Sequence, residues 1–99
     1  MDRIEGYRDR LAVFCRKWGV GELSIFGSFL GDDARPDADI DILISFEKGA
    51  HCDLFDIMAM NEELREIFGR EVDLVEREGV RNPYRRAGIL NNRRVIYAA

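Results

Sequence analysis

The chain has 99 residues, 46% hydrophobic and 34% charged, with a formal net charge of −4. That length suits a single small domain over 1–99 with one modest core, and the balance is globular rather than disordered. No apolar run approaches the roughly 20 residues that span a bilayer, and an acidic chain is a poor stand-alone nucleic-acid binder, because neutralising phosphates supplies most of that affinity.

Residues 2–18 read as an amphipathic helix, with Ile4, Tyr7, Leu11, Phe14 or Cys15, and Trp18 recurring at three- and four-residue steps. The charged start from Asp2 is unlike a secretion signal, so the expected address is the cytoplasm. Gly19 and Gly21 are read as the end of this helix. A short strand follows from Leu23 to Phe26, stopped by Gly27-Ser28, and residues 28–34 form a helical turn or a loop. Pro36 restricts Arg35 to extended geometry and leads into a strand at about 39–46. Past Asp41 that strand is apolar on both faces, which predicts a central place in a sheet.

Residues 47–52 turn the chain, and Asp53 is an N-cap with Asp56 three residues on, an acidic variant of the capping box. The helix that follows carries Leu54, Ile57, Met58, Leu64 and Phe68 as its predicted apolar stripe and stops at Gly69. A third strand covers 71–76, Pro83 opens a short helix to about Leu90, and Arg94 to Tyr97 is the last strand. Cys15 and Cys52 lie far apart and fit no metal-ligand spacing, so both are expected as reduced thiols. From Arg81 onward there are five arginines and no acid, either a solvated face or a contact surface for phosphates or an acidic partner.

The chemistry is concentrated in residues 26–46, FGSFLGDDARPDADIDILISF. Asp39 and Asp41 are two apart at a strand entrance, so both side chains point to one face. Two carboxylates so placed repel unless a cation or a proton intervenes. Asp73 stands in a second apolar run, Val72-Asp73-Leu74-Val75, and joins them only if the two strands pair in a suitable register. Gly27 allows close backbone approach to a phosphate, and Ser28 offers a hydroxyl and an N–H. These parts suit metal-assisted phosphoryl transfer. A hard ion such as Mg²⁺ prefers carboxylate and phosphate oxygens, and one or two ions could be shared with a nucleotide.

Other motifs fail. Asp37-Ala-Asp39-Ile-Asp41 begins like an EF-hand loop, but Ile42 and Lys48 occupy the positions that need Gly and Glu. The Gly27-Ser28 turn lacks the Gly-Lys-Ser/Thr end of a P-loop. His51 is a lone histidine in a turn, and neither Ser28 nor Ser45 sits in a nucleophile elbow.

Gly27-Ser28, the run Ala34-Arg35-Pro36-Asp37-Ala38-Asp39-Ile40-Asp41, and Asp73 together resemble the pattern of the minimal nucleotidyltransferases (MNT), small members of the polymerase-beta superfamily. The resemblance spans nearly the whole chain. It implies an α+β, polymerase-beta-like nucleotidyltransferase fold, with a mixed central sheet of about four strands flanked by helices. It also implies Mg²⁺ and transfer of a nucleoside monophosphate, AMP from ATP, to a hydroxyl. Carried onto this chain, Asp39, Asp41 and Asp73 would be catalytic and bind metal, while Gly27, Ser28 and Arg35 would bind nucleotide. Small members often act as antitoxins in HEPN/MNT toxin–antitoxin pairs, AMPylating a tyrosine of the HEPN-domain toxin, so such a partner and a hetero-oligomer are expected.

The chain departs from many relatives after the Gly-Ser turn. Phe29 and Gly31 stand where two basic side chains are common, Asp32 adds a negative charge, and Ala38 replaces a Ser. At an effective dielectric of about 20, one unit charge at 4 Å is worth roughly 4 kcal/mol. Arg35 or the C-terminal arginines are the available compensation. Two functional readings follow: an active transferase, or a transferase fold that neutralises a partner by occlusion, with Tyr84 and Tyr97 as exposed aromatic contacts.

Overall fold

The computed structural model describes residues 5–27, 39–50 and 52–99. A 3₁₀ turn, Glu5–Tyr7, leads into α1, Arg8–Trp18. The buried face of α1 is Leu11, Phe14 and Cys15, and Tyr7 stacks at a tilt on Phe68 with ring centroids 4.9 Å apart. Gly19 closes the helix at φ 70°, its N–H donating to the Cys15 carbonyl. Gly21 does not end the helix. It lies inside β1, Val20–Phe26, at a register shift between Val20 and Glu22, where a Cβ would come 3.4 Å from the Glu47 nitrogen.

Next come β2, Ile40–Phe46, and α2, Leu54–Phe68. Asp53 and Asp56 form the reciprocal capping box, and Gly69 ends α2 at φ 68°. The stripe on α2 differs from the expected one. Met60, Leu64, Ile67 and Phe68 are buried with Ile57 beside them, whereas Leu54 and Met58 are 71% and 57% exposed. At about 100° per residue, Leu54 and Met58 stand roughly 90° and 130° from the middle of the buried stripe.

β3, Val72–Glu76, then passes through a 3₁₀ turn, Arg77–Gly79, to α3, Pro83–Asn91, and β4, Arg93–Ala98. β1 pairs antiparallel with both β2 and β4, and β2 pairs parallel with β3, so the mixed four-stranded sheet runs β3-β2-β1-β4. β2 is central, as its two apolar faces require. Ile40, Ile42 and Ile44 enter the main core with α1 and α2, while Leu43 faces the other way into a smaller cluster with Val80 and Ile89. Thus α1 and α2 cover one face of the sheet and α3 part of the other. Tyr97 is half-buried against the main core rather than an exposed contact; Tyr84 is 88% exposed. Both cysteines are free thiols. Among the described residues no helix is long and apolar enough to cross a membrane.

Candidate active site

The site lies on the α3 side of the sheet, where strand alternation sends the odd-numbered residues of β2. In the parallel ladder Asp41 is the register partner of Asp73, and on the other side Asp41 pairs with Phe26, which pairs with Arg93. Asp73, Asp41, Phe26 and Arg93 therefore form one row across all four strands. Residues opposed in such a row are about 5 Å apart and share a face. The register condition on Asp73 is met, and Asp39 stands one residue before β2, two before Asp41.

Burial grades the three carboxylates. Asp41 is half-buried; Asp39 and Asp73 are exposed. Asp41 is held above the usual carboxylate range, first by loss of water around it, then by the negative charges of Asp73 and Asp39; Arg85 opposes the shift. A carboxylate in that position gains from any cation placed beside it.

Gly27 follows β1 directly at φ 76°, a conformation that favours glycine. A Cβ there would lie 2.3 Å from Asp41 Oδ2 and 3.2 Å from its Cγ. The backbone turn thus rests against the carboxylate, a closeness that only a residue without a side chain permits.

α3 walls the row. Asn82 caps it, accepting from the Tyr84 and Arg85 N–H groups at 2.9 and 3.2 Å, and Pro83 fills the first turn, where its missing N–H costs nothing. Ile89 anchors the helix on Leu43, with Phe26, Val75 and Leu90 packed around them. Arg85 is four residues before Ile89, on the same helix face one turn away. Beyond Phe26, Arg93 forms an ion pair with Glu22 and donates to buried Ser24 Oγ at 3.4 Å. Sequence reasoning named the C-terminal arginines as a group and did not single out Arg85 or the row partner Arg93. The register that distinguishes them comes from long-range pairing.

Ser28 and Arg35 lie outside the described residues, as do Phe29, Gly31, Asp32, Ala38 and His51 and the expected turn at 28–34. Ser45 Oγ is engaged, donating to Glu78 Oε1 at 3.0 Å. Among the described residues no three His, Cys, Asp or Glu side chains converge closely enough to enclose a metal ion by themselves. An all-carboxylate site is nonetheless suited to Mg²⁺, which takes one or two carboxylates and completes its shell with water and substrate phosphates. A groove of about 510 Å³ between α1 and α2 is on the opposite face; its acids Asp9, Glu63 and Glu66 stand among Arg10 and Lys17, and Lys17 is ion-paired with Glu63.

Comparison with known proteins bears on this arrangement. A family model described as the nucleotidyltransferase domain matches residues 9–96. A Methanocaldococcus jannaschii protein, named as a candidate protein adenylyltransferase, is 37% identical over 88 residues, covering 89% of this chain and 91% of its own. Protein adenylyltransferase MntA of Thermococcus cleftensis is 33% identical over 66 residues, 67% of this chain and 65% of that protein. A solved structure described as a candidate minimal nucleotidyltransferase superposes with a TM-score of 0.75 at 29% identity, covering 95% of both chains. A chain from the complex of a tri-AMPylated Shewanella oneidensis HEPN toxin with MNT antitoxin gives 0.71 over 97% of this chain and 73% of its own. At 14% identity it speaks to the fold alone.

Proposed function

Because the chain belongs to the nucleotidyltransferase-domain family, we propose that it moves AMP from ATP, with Mg²⁺, onto a hydroxyl of a protein partner. The partner would be a HEPN-domain toxin, the acceptor one of its tyrosines, and the chain its antitoxin in a hetero-oligomer. The observation that carries the reading is the pairing of Asp41 with Asp73, with Asp39 two residues upstream of Asp41. Relatives named as protein adenylyltransferases, and the fold shared with the toxin–antitoxin complex, support the choice of acceptor.

Asp39, Asp41 and Asp73 would hold the Mg²⁺, which when bound neutralises charge on the phosphoryl oxygens. Asp73, on the edge strand β3, would orient the acceptor hydroxyl and take its proton. The acceptor oxygen then bonds to the α-phosphorus as the bond to the bridging oxygen breaks and pyrophosphate leaves. Gly27 would let the backbone approach the phosphates, Ser28 would donate to their non-bridging oxygens, and Arg35 would bind the nucleotide.

Calorimetric titration of ATP and Mg²⁺ into the wild type and an Asp39→Asn/Asp41→Asn variant tests this. Magnesium-dependent binding should be lost in the variant, along with label transfer to the partner. Undiminished transfer by the double variant would refute the reading. A second reading, neutralisation by occlusion, is favoured by Phe29 and Gly31 in place of basic side chains. It requires the same variant to bind and silence the partner as well as the wild type.

A further inference from the structure

The first turn of α3 carries charge of the wrong sign for its own end. The N-terminal end of a helix dipole is positive and favours acids. That turn holds none, and Arg81, Arg85 and Arg86 gather around it. No acid follows anywhere from Arg81 to Ala99. Arg86 lines a small hollow with Leu43, Val80 and Ile89. Arg81 and Arg85 are exposed, and among the described residues neither forms an ion pair. The face of α3 turned away from the sheet adds two uncharged features. At about 100° per residue, Tyr84 and Gly88 stand roughly 170° and 150° from the middle of the stripe made by Arg86, Ile89 and Leu90. Tyr84 is 88% exposed. Gly88 stands inside the helix, where glycine costs stability relative to alanine, and a Cβ on it would meet nothing within 4 Å. The described residues give no packing reason for a glycine there.

We propose that the outward face of α3 is a docking surface for an acidic helix of a partner protein. Tyr84 is its anchor, an exposed ring of the kind that dominates interface energetics. Gly88 is the point of closest approach, where bare backbone admits a second chain. Arg81 and Arg85 are the charge partners, their planar forks matching carboxylates. Each feature is unfavourable or idle in the chain alone, and an acidic helix laid along α3 uses all of them. A nucleic acid fits less well, because the net charge of −4 and the carboxylate row repel phosphates. α3 packs on the same side of the sheet as that row, so a protein seated there is held on the side where Asp41 and Asp73 lie. That this partner is also the nucleotide acceptor rests on the transfer reading above.

Fluorescence anisotropy tests this with a labelled, helix-forming peptide of glutamate and alanine, about 15 residues long. A counterpart with lysine for glutamate and a single-stranded RNA of equal length are the controls. The wild type binds the acidic peptide at least about 10-fold more tightly than either control. Tyr84→Ala and Arg81→Glu each weaken that binding by roughly 10-fold. Gly88→Leu weakens it comparably while raising the urea midpoint, since leucine is the better helix former, so its loss is not unfolding. Phe55→Ala removes a similarly exposed ring from α2, on the opposite face of the sheet, and leaves peptide affinity unchanged. Wild-type affinity in Tyr84→Ala or Gly88→Leu overturns the inference, as does a preference for the RNA or the lysine peptide. Mg²⁺-dependent ATP binding, measured on the same wild-type sample, separates the two readings. A protein that docks the acidic peptide as described and binds no ATP removes the transfer reading and leaves the docking surface. One that binds ATP and not the peptide removes the docking surface alone.

Discussion

Replacing Gly27 by alanine perturbs the site through geometry alone, without touching a charge. The residue sits at φ 76°, so an L side chain incurs the left-handed penalty of about 1–2 kcal/mol. Gly69, at φ 68° with open space around it, supplies the comparison: alanine there meets the same backbone strain and nothing else. At Gly27 the added Cβ lies 2.3 Å from Asp41 Oδ2, more than 1 Å inside the 3.4 Å where ordinary contact begins. The carboxylate must turn away, and with Cγ at 3.2 Å rotation about the last bond alone does not suffice. A displacement of about 1 Å at a reacting group costs on the order of 100-fold in rate. Both variants should therefore lose about 1–2 kcal/mol in urea unfolding, or roughly 4–16 °C in Tm for a domain of this size. Only Gly27→Ala should also lose nucleotide binding and transfer. The reasoning is refuted if Gly27→Ala matches Gly69→Ala in transfer rate per folded molecule.

Asp41→Asn should stabilise the metal-free protein at neutral pH while abolishing transfer. The folded carboxyl ionises above its ordinary range, so between the unfolded and folded values the native state keeps a proton that the unfolded chain has lost. Stability therefore falls as pH rises through that window. The gain from the substitution should be full above it and vanish below about pH 4, as urea melts across pH will read. Thiol titration should find Cys52 slow but reactive in the folded protein and Cys15 silent until unfolding, because burial pushes the Cys15 thiol up to about 12. Asp53→Ala removes the capping-box acceptor of α2 and should cost about 1 kcal/mol in the same melts with transfer unaffected, since the cap is far along the chain from the carboxylate row.

The polymerase-beta-like order of helices and strands was legible because its signals are local. Gly19 and Gly69 close helices, the Asp53–Asp56 pair opens one, Pro83 starts another, and unbroken Ile-Leu-Ile in β2 marks a central strand. The two aspartates of β2 were equally legible, since period-two alternation fixes their common face without tertiary information. Asp73 was recognisable as a candidate, yet its register with Asp41 depends on how two strands separated by α2 align, which no local pattern encodes. Leu54 and Met58 were misplaced for a related reason: an apolar helix offers several overlapping stripes, and the partner surfaces choose among them. Arg93 escaped because its place in the row depends on how β4 pairs with β1.

The strand order has a kinetic consequence for such a site. β3 is five residues long and pairs on one side only, whereas β2, with Asp41, is clamped between two neighbours. Edge elements with few partners open locally at lower free energy than the whole domain. The tether that opposes this is small: Asn61 Nδ2 donates to the Val72 carbonyl at 3.1 Å, and the Ile40 N–H to the Glu71 carbonyl at 3.0 Å. Asp73 thus rides on an edge strand, and amide exchange at Asp73–Glu76 should outpace that at Ile42–Ile44. Catalytic competence would then be lost on warming before the fold is, switched off by the release of one short strand while the core beneath it stays closed.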